Sequence, residues 1–223
     1  MLKRPLVFFD VDDTLVNGQT QKILGKYLYK NGKVSIAFVI KILFYFLMWR
    51  IGIVKNVVPI REQAYKVISD WEASEVEKIV RECFFKEIRA RIFPQALDLI
   101  KKHQMKGHEV ILISGSIDCL LRIIKEYIGT KFVIATVLKV ENDKYTGEVL
   151  GPVIHGESKV RAILNFISEH DFSLEGSYAY SDDVSDLPLF RLVQNPVAVN
   201  PNKKLRKIAQ LEGWPISYFS KGE

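Results

Sequence analysis

A doubly wound, mostly parallel α/β sheet with a helical cap inserted after its first strand is the fold the sequence predicts, on three observations. From residue 93 onward, short apolar runs alternate with helix-length segments, as in a parallel sheet covered on both faces. Several of those runs break off in acidic or hydroxyl residues, where the strand ends of open sheets place their sites. A block of about 20–91 that reads as helical separates the first apolar run from all the others.

Taken in order, Leu6-Val7-Phe8-Phe9 is apolar without alternation and predicts a strand buried on both faces over about 5–11. Phe93-Pro94 opens a helix over 94–105, and Val110-Ile111-Leu112-Ile113 marks a strand over 109–113. A helix over 116–127 and a strand over 132–135 follow. Residues 136–150 read as a hairpin turning at Glu141-Asn142-Asp143-Lys144. The remainder predicts helix 157–170, strand 176–180, helix 185–192 and a short strand 196–199. This Rossmann-like order assigns 1–17 and 93–223 to a core domain and 18–92 to a helical cap domain.

The segment Ser35 to Trp49 is apolar nearly all round and is broken only by Lys41. Its length could span a bilayer, but a single crossing would separate Asp10 from Ser114, Lys159 and Asp182. The segment therefore reads as a buried cap helix. The alternative is an interfacial membrane contact, with Lys30, Lys33, Lys41, Arg50 and Lys55 facing anionic headgroups.

The chain has 223 residues, 48% of them hydrophobic and 26% charged, enough for one core and an inserted region. Cys83 and Cys119 fit neither a metal spacing nor a disulfide framework, so a reducing cytoplasm is expected, with location at the inner membrane face as a peripheral alternative. The apolar run after Met1 is too short for a signal peptide. A net charge of +6 favours anionic partners, yet its lysines are scattered and no zinc-finger, Walker or dinucleotide pattern occurs, so no nucleic-acid partner is expected.

The chemistry concentrates at three strand ends. Asp10 and Asp12 are two apart, so an extended chain points both to one side. One of them can attack phosphorus while the other carries a proton. Ser114, with Gly115 and Ser116, follows the second apolar run, and Asp182 lies just beyond Tyr178-Ala179-Tyr180. So much carboxylate in one place calls for a cation, and oxygen-only ligands suit a hard ion such as Mg²⁺. Lys159 would bring a positive charge at a helix start. Taken singly, Asp13 reads as a turn residue, Ser114-Gly115-Ser116 as a helix N-cap and Lys159 as a surface lysine. The four histidines match no ligand spacing.

Together, Asp10-Val11-Asp12-Asp13-Thr14, Ser114-Gly115-Ser116, Gly156-Glu157-Ser158-Lys159 and Ser181-Asp182-Asp183-Val184-Ser185-Asp186 resemble the four ordered motifs of the haloacid dehalogenase-like (HAD) phosphatases. The resemblance is greatest to the phosphoserine phosphatase-like branch (subfamily IB), covers 1–17 and 93–215, and is weak in the cap. It implies a Mg²⁺-dependent phosphomonoester hydrolase with an aspartyl-phosphate on Asp10 and with Asp12 as acid and base. It further implies that Thr14, Ser114, Gly115 and Lys159 surround the phosphoryl group. Mg²⁺ would sit on the Asp10 carboxylate, the Asp12 main-chain carbonyl and Asp182, with Asp183 and Asp186 behind it.

In the cap, Gln19 stands where that branch carries a glutamate for the substrate ammonium, and Arg61 lies one turn before the position of its carboxylate-binding arginine. Both departures argue against phosphoserine. The apolar cap points to a small-molecule or lipid phosphomonoester with an apolar part, of the phosphatidylglycerophosphate or lysophosphatidate type if the reaction occurs at a membrane. Transfer of the phosphoryl group to an alcohol, and an inactive binding protein on the same fold, are the competing readings.

Overall fold

The computed structural model describes residues 4–55 and 58–220. Among them the elements run β1 (Leu6–Asp10), α1 (Thr20–Lys30), α2 (Ile36–Arg50), α3 (Val58–Tyr65), α4 (Ala73–Cys83), α5 (Pro94–Met105), β2 (Glu109–Ile117), α6 (Asp118–Ile128), β3 (Phe132–Thr136), β4 (Leu138–Glu141), β5 (Lys144–Val149), α7 (Glu157–His170), β6 (Tyr178–Ser181), α8 (Leu187–Leu192), β7 (Asn195–Val199), α9 (Lys203–Glu212) and β8 (Ile216–Ser217).

Six strands form one sheet in the order β3-β2-β1-β6-β7-β8, every neighbouring pair parallel. All five residues of β1 are buried, as its unbroken apolar run requires of a central strand. Side chains alternate across the sheet. Val7, Phe9, Val110 and Leu112 face a core built with Ala96 and Ile100 of α5 and Leu120 and Ile124 of α6. Leu6, Phe8, Ile111 and Ile113 face the other core, against Ile163 of α7, Leu189 of α8 and Leu205 of α9. Helices on both faces make the sheet doubly wound, as expected.

The register positions the site. Asp10 pairs with Ile113 and Phe9 with Tyr180, so Asp10, Ser114 and Ser181 end at one level. Strand β2 runs four residues past the expected end, through Ser114-Gly115-Ser116, and its pairing with β3 shifts between Ile113 and Ile117. The helix read from 116 therefore starts only at Asp118. The β4–β5 hairpin turns at Asn142 and Asp143, both at positive φ (47° and 61°), the conformation of a two-residue type I′ turn. This hairpin packs on the inserted region: Asp70 N donates to Tyr145 O at 2.8 Å and Tyr145 N to Trp71 O at 3.0 Å. Helix α9 and strand β8 are not among the elements read from the sequence.

The inserted helical region leaves and rejoins the sheet side by side: Asn17 N donates to Arg91 O at 2.8 Å and Phe93 N to Leu15 O at 2.9 Å. The apolar segment is helical as expected, but it is not a buried cap helix. None of the residues of α2 whose exposure is described is buried. Helix α2 packs against α3 and leaves Ile36, Ile40, Leu43, Phe44 and Leu47 exposed. Residue type marked the segment as apolar; which neighbour covers it is a tertiary matter, and among the described residues none does along that face. No helix among the described residues is long and apolar enough to cross a membrane. Cys83 and Cys119 are free and buried, and burial pushes both thiols up to about 12.

Candidate active site

The end of β1 carries Asp10, 6% exposed, into a cluster assembled from four stretches of chain. Lys159, 4% exposed, projects from the first turn of α7 and bridges two carboxylates, its Nζ 2.6 Å from Asp10 Oδ1 and 2.6 Å from Asp186 Oδ2. This is no surface lysine: the two carboxylates raise its pKa against the opposing effect of burial. Ser181 Oγ donates to the same Asp186 oxygen at 2.5 Å. Burial, reinforced by Asp186 and Asp12, raises the Asp10 carboxyl above the usual range although Lys159 opposes it.

Asp12 is held apart from that ion-pair cluster. Its Oδ1 accepts from both the main-chain N–H and the hydroxyl of Thr20, each at 2.6 Å, and Ser114 Oγ donates to Oδ2 at 3.2 Å. Three donors from α1 and β2 thus orient the second aspartate. The turn that makes this possible has Asp13 in the left-handed region (φ 58°), and Leu15 and Val16 both donate to Val11 O. The hydroxyl of Thr20 also lies 3.0 Å from Ser116 Oγ, so the inserted helix, the first loop and β2 meet there.

Around Gly115 the opposite wall forms. Its carbonyl accepts from Gln21 Nε2 at 2.9 Å, Thr136 Oγ1 at 3.1 Å and Arg61 Nη1 at 3.4 Å, with Tyr65 Oη at 3.5 Å. A Cβ on Gly115 would come 2.2 Å from Arg61 Nη1 and 2.7 Å from the Ile154 carbonyl, so only glycine fits.

Asp182 is half-buried, and Thr14 Oγ1 approaches its Oδ1 at 3.4 Å. Burial, then Asp10, Asp13 and Asp183, raise its pKa. Asp183 caps the turn Val184–Asp186 by accepting from Ser185 N at 2.8 Å, and Asn202 Nδ2 donates to its other oxygen at 2.5 Å.

The donor chemistry fits a hard divalent cation. Asp10 and Asp182 are both pushed toward protonation, by burial first and by neighbouring carboxylates after it, and a cation would oppose both effects. Among the described residues Asp186 Oδ1 is buried without a hydrogen-bond partner. All these donors are oxygens, the ligands of Mg²⁺. No cluster of three His, Cys, Asp or Glu side chains among the described residues has metal-binding geometry. The expected set needs only two such side chains, with a main-chain carbonyl as the third ligand.

The structure thus gathers Asp10, Asp12, Thr14, Ser114, Gly115, Lys159, Asp182, Asp183 and Asp186 at one end of the sheet, with Arg61 reaching in from α3. Gln19 is not with them: it is exposed and lines an outer groove with Lys22, Ile23, Lys26 and Glu87. Its neighbours Thr20 and Gln21 face the cleft instead. Those two, with Tyr65, Thr136 and Asn202, went unread in the sequence; the only local signal was Thr20 at a helix start after Gly18.

A family model for haloacid dehalogenase-like hydrolases matches residues 7–191, from β1 to α8. The chain belongs to the haloacid dehalogenase-like hydrolases. Relatives carry phosphatase names. A probable phosphatase of Mycobacterium tuberculosis is 31% identical, covering 98% of this chain and 76% of the relative. A histidinol-phosphatase of Neisseria meningitidis serogroup C is 30% identical over 96% of this chain and 98% of its own. This HAD hydrolase is a phosphatase. Among solved structures, a protein of unknown function from Bordetella pertussis superposes with a TM-score of 0.90 at 25% identity, covering 96% of this chain and 98% of that one. A phospho-aspartyl intermediate analogue of phosphoserine phosphatase shares the fold, with a TM-score of 0.69 at 23% identity, covering 98% and 95%.

Proposed function

We propose that this HAD phosphatase hydrolyses phosphomonoesters in two steps on Asp10. The observation that carries the reading is the division of labour between the two aspartates: Asp10 lies in the Lys159–Asp186 ion-pair cluster, and Asp12 is held away from it by Thr20 and Ser114. Lys159 occupies Asp10 Oδ1, which leaves Oδ2 to attack phosphorus. The ester P–O bond breaks as Asp12 gives its proton to the leaving oxygen. Asp12 then takes a proton from water, the water oxygen attacks the aspartyl-phosphate, and Asp10 and inorganic phosphate are released. Lys159 and the Ser114–Gly115 turn bind the phosphoryl oxygens, and Thr14, Asp183 and Asp186 hold the surrounding groups in place.

Mg²⁺, held by Asp10, the Asp12 carbonyl and Asp182, would supply charge neutralisation for the phosphoryl oxygens. The helical region 18–92 would act as a cap domain on the core formed by 1–17 and 93–223, moving about the paired crossings at Asn17–Arg91 and Leu15–Phe93 to admit substrate and exclude water.

The cap contributes Thr20, Gln21, Arg61 and Tyr65 to the cleft, and none is acidic. Among the described residues a substrate ammonium finds no cap carboxylate there, which disfavours phosphoserine and histidinol phosphate despite the relatives' names. Arg61 suits an anionic or strongly polar leaving group, and the apolar neighbour α2 suits one that continues into an apolar part, as in a lipid phosphate.

Phosphate release from a panel of sugar, amino-acid, nucleotide and lipid monophosphates, with Mg²⁺ and with chelator, tests the reading. Wild type should lose activity on chelation and Asp10→Asn should be inactive. Equal, metal-independent rates in the two proteins would favour a binding protein. Added alcohols diverting phosphate into new esters would favour a phosphotransferase.

A further inference from the structure

Helix α2 presents an apolar surface outside the site that the proposed reaction does not use. Ile36, Ile40, Leu43, Phe44 and Leu47 recur at helical spacing along one face and are 53–62% exposed. Ile51 and Ile53, in the turn after the helix, extend the same apolar tract. Monomeric soluble proteins rarely leave such a contiguous face in water.

The charge around it is one-sided. Between Asp13 and Glu62 the sequence carries eight Lys or Arg and no Asp or Glu. That exceeds the net +6 of the whole chain, so the remainder is negative. Exposed Lys41 lies beside the stripe and exposed Lys55 just beyond its end. Lys33 is paired with Glu75 at 2.8 Å, Lys30 lies 4.0 Å from Glu87, and Arg61 turns to the Gly115 carbonyl, so the charge offered beside the stripe rests on Lys41 and Lys55.

We infer that α2 and the turn Ile51–Ile53 dock this protein on an anionic lipid bilayer, lying in the interface. A second copy of the chain packed face to face on α2 would bring two acid-free, lysine-rich segments together, whereas an anionic surface neutralises them. Crossing is excluded by length: 15 residues rise about 22 Å against a hydrocarbon core of about 30 Å. Exposed apolar side chains flanked by lysines, on a helix too short to span, suit a helix held at the surface of an anionic bilayer rather than across it. Helix α3, which packs on α2, also carries Arg61 and Tyr65 to Gly115. Docking therefore sets the cleft wall near the headgroups. Only this last consequence, delivery of substrate from the bilayer, rests on the proposed hydrolysis; the docking does not.

Co-sedimentation of the full chain with neutral phosphatidylcholine vesicles, and with vesicles containing phosphatidylglycerol, tests it without turnover. Binding should appear with the anionic vesicles and weaken with salt. Lys41→Ala and Lys55→Ala should each weaken it about fivefold. Leu43→Glu combined with Leu47→Glu should weaken it by about 100-fold, with hydrolysis of a soluble aryl phosphate unchanged. Absence of binding to anionic vesicles overturns the inference. So does sedimentation equilibrium showing a wild-type dimer that the double variant dissociates, without vesicle binding by either. Because binding and soluble-ester hydrolysis are read separately, failure of one leaves the other standing.

Discussion

Replacing Thr20 by valine isolates the side-chain half of the pair of contacts by which Thr20 ties the inserted region to the proposed proton carrier. Thr20 is fully buried, and valine keeps its branched shape. The change removes a 2.6 Å hydrogen bond to Asp12 Oδ1 and the 3.0 Å contact with Ser116 Oγ. The Thr20 N–H and Ser114 Oγ remain, so Asp12 keeps two of its three donors and is loosened rather than freed. A hydrogen bond to a charged group contributes about 1.5–3 kcal/mol. If that strength is expressed in the transition state, kcat should fall about 10- to 150-fold, a loss that reaches only the lower end of the ~10²–10⁴-fold typical of general acid–base catalysis, as suits loosening rather than removal of the proton carrier. The assay compares an alkyl phosphate with p-nitrophenyl phosphate at saturating Mg²⁺, together with the pH profile of each. A nitrophenolate leaves without a proton, so its formation of the aspartyl-phosphate should be spared in burst kinetics, and the alkyl ester should show the full loss. Equal losses in that first step for the two esters, in a variant with wild-type melting behaviour, would refute a proton-positioning role for Thr20. So would no loss at all.

Lys159→Met should both abolish turnover and destabilise the fold by about 3–5 kcal/mol, because Asp10 and Asp186 would be left buried without their cation; denaturant midpoints read this, and adding Asp10→Asn should recover part of it. Gly115→Ala should reduce activity at least 10-fold, since its Cβ must displace Arg61 and press on the Ile154 carbonyl, the latter being backbone that cannot swing away; a wild-type kcat/KM would show that the wall yields. His103 is buried between His108 Nδ1 (2.9 Å) and Tyr180 Oη (2.8 Å), and burial, with His108 and Lys106, pushes its pKa down to about 4 from 6.5. The unfolded chain then binds a proton at a higher pH than the folded one. The contribution is therefore full above about pH 6.5 and is lost as pH falls through about 4, about 3 kcal/mol in all. Stability measured against pH in wild type and His103→Gln should show that difference in slope, and parallel curves would contradict it.

How far the chain could be read depended on where its information lies. The strand β1 and its neighbours were legible because a strand buried on both faces must be apolar at every position, and a parallel sheet must alternate strands with helices. Asp10, Asp12, Ser114, Lys159 and Asp182 could be placed together because each sits at or just after a strand end, or at a helix start; Thr14, Gly115, Asp183 and Asp186 were singled out only through the resemblance to the HAD motifs. Thr20, Gln21 and Tyr65 had no such marker. Their roles come from the inserted helices folding back onto Gly115 and Asp12, contacts between residues 8 to 94 positions apart. Gln19 shows the same limit from the other side: it stands in extended conformation just before α1, and its side chain lines the outer groove while Thr20, the first residue of the helix, reaches Asp12.

Sequence by itself determined the class of sheet, the order of the motifs and the carboxylate-rich chemistry, because periodicity and residue type are local properties of the polymer. Only the tertiary structure decided that Lys159 is buried between two carboxylates, that Asp12 is turned away toward Thr20, and that α2 stands uncovered. Each of these depends on which surfaces meet, and an apolar or charged side chain carries no record of its eventual neighbour until the chain has packed.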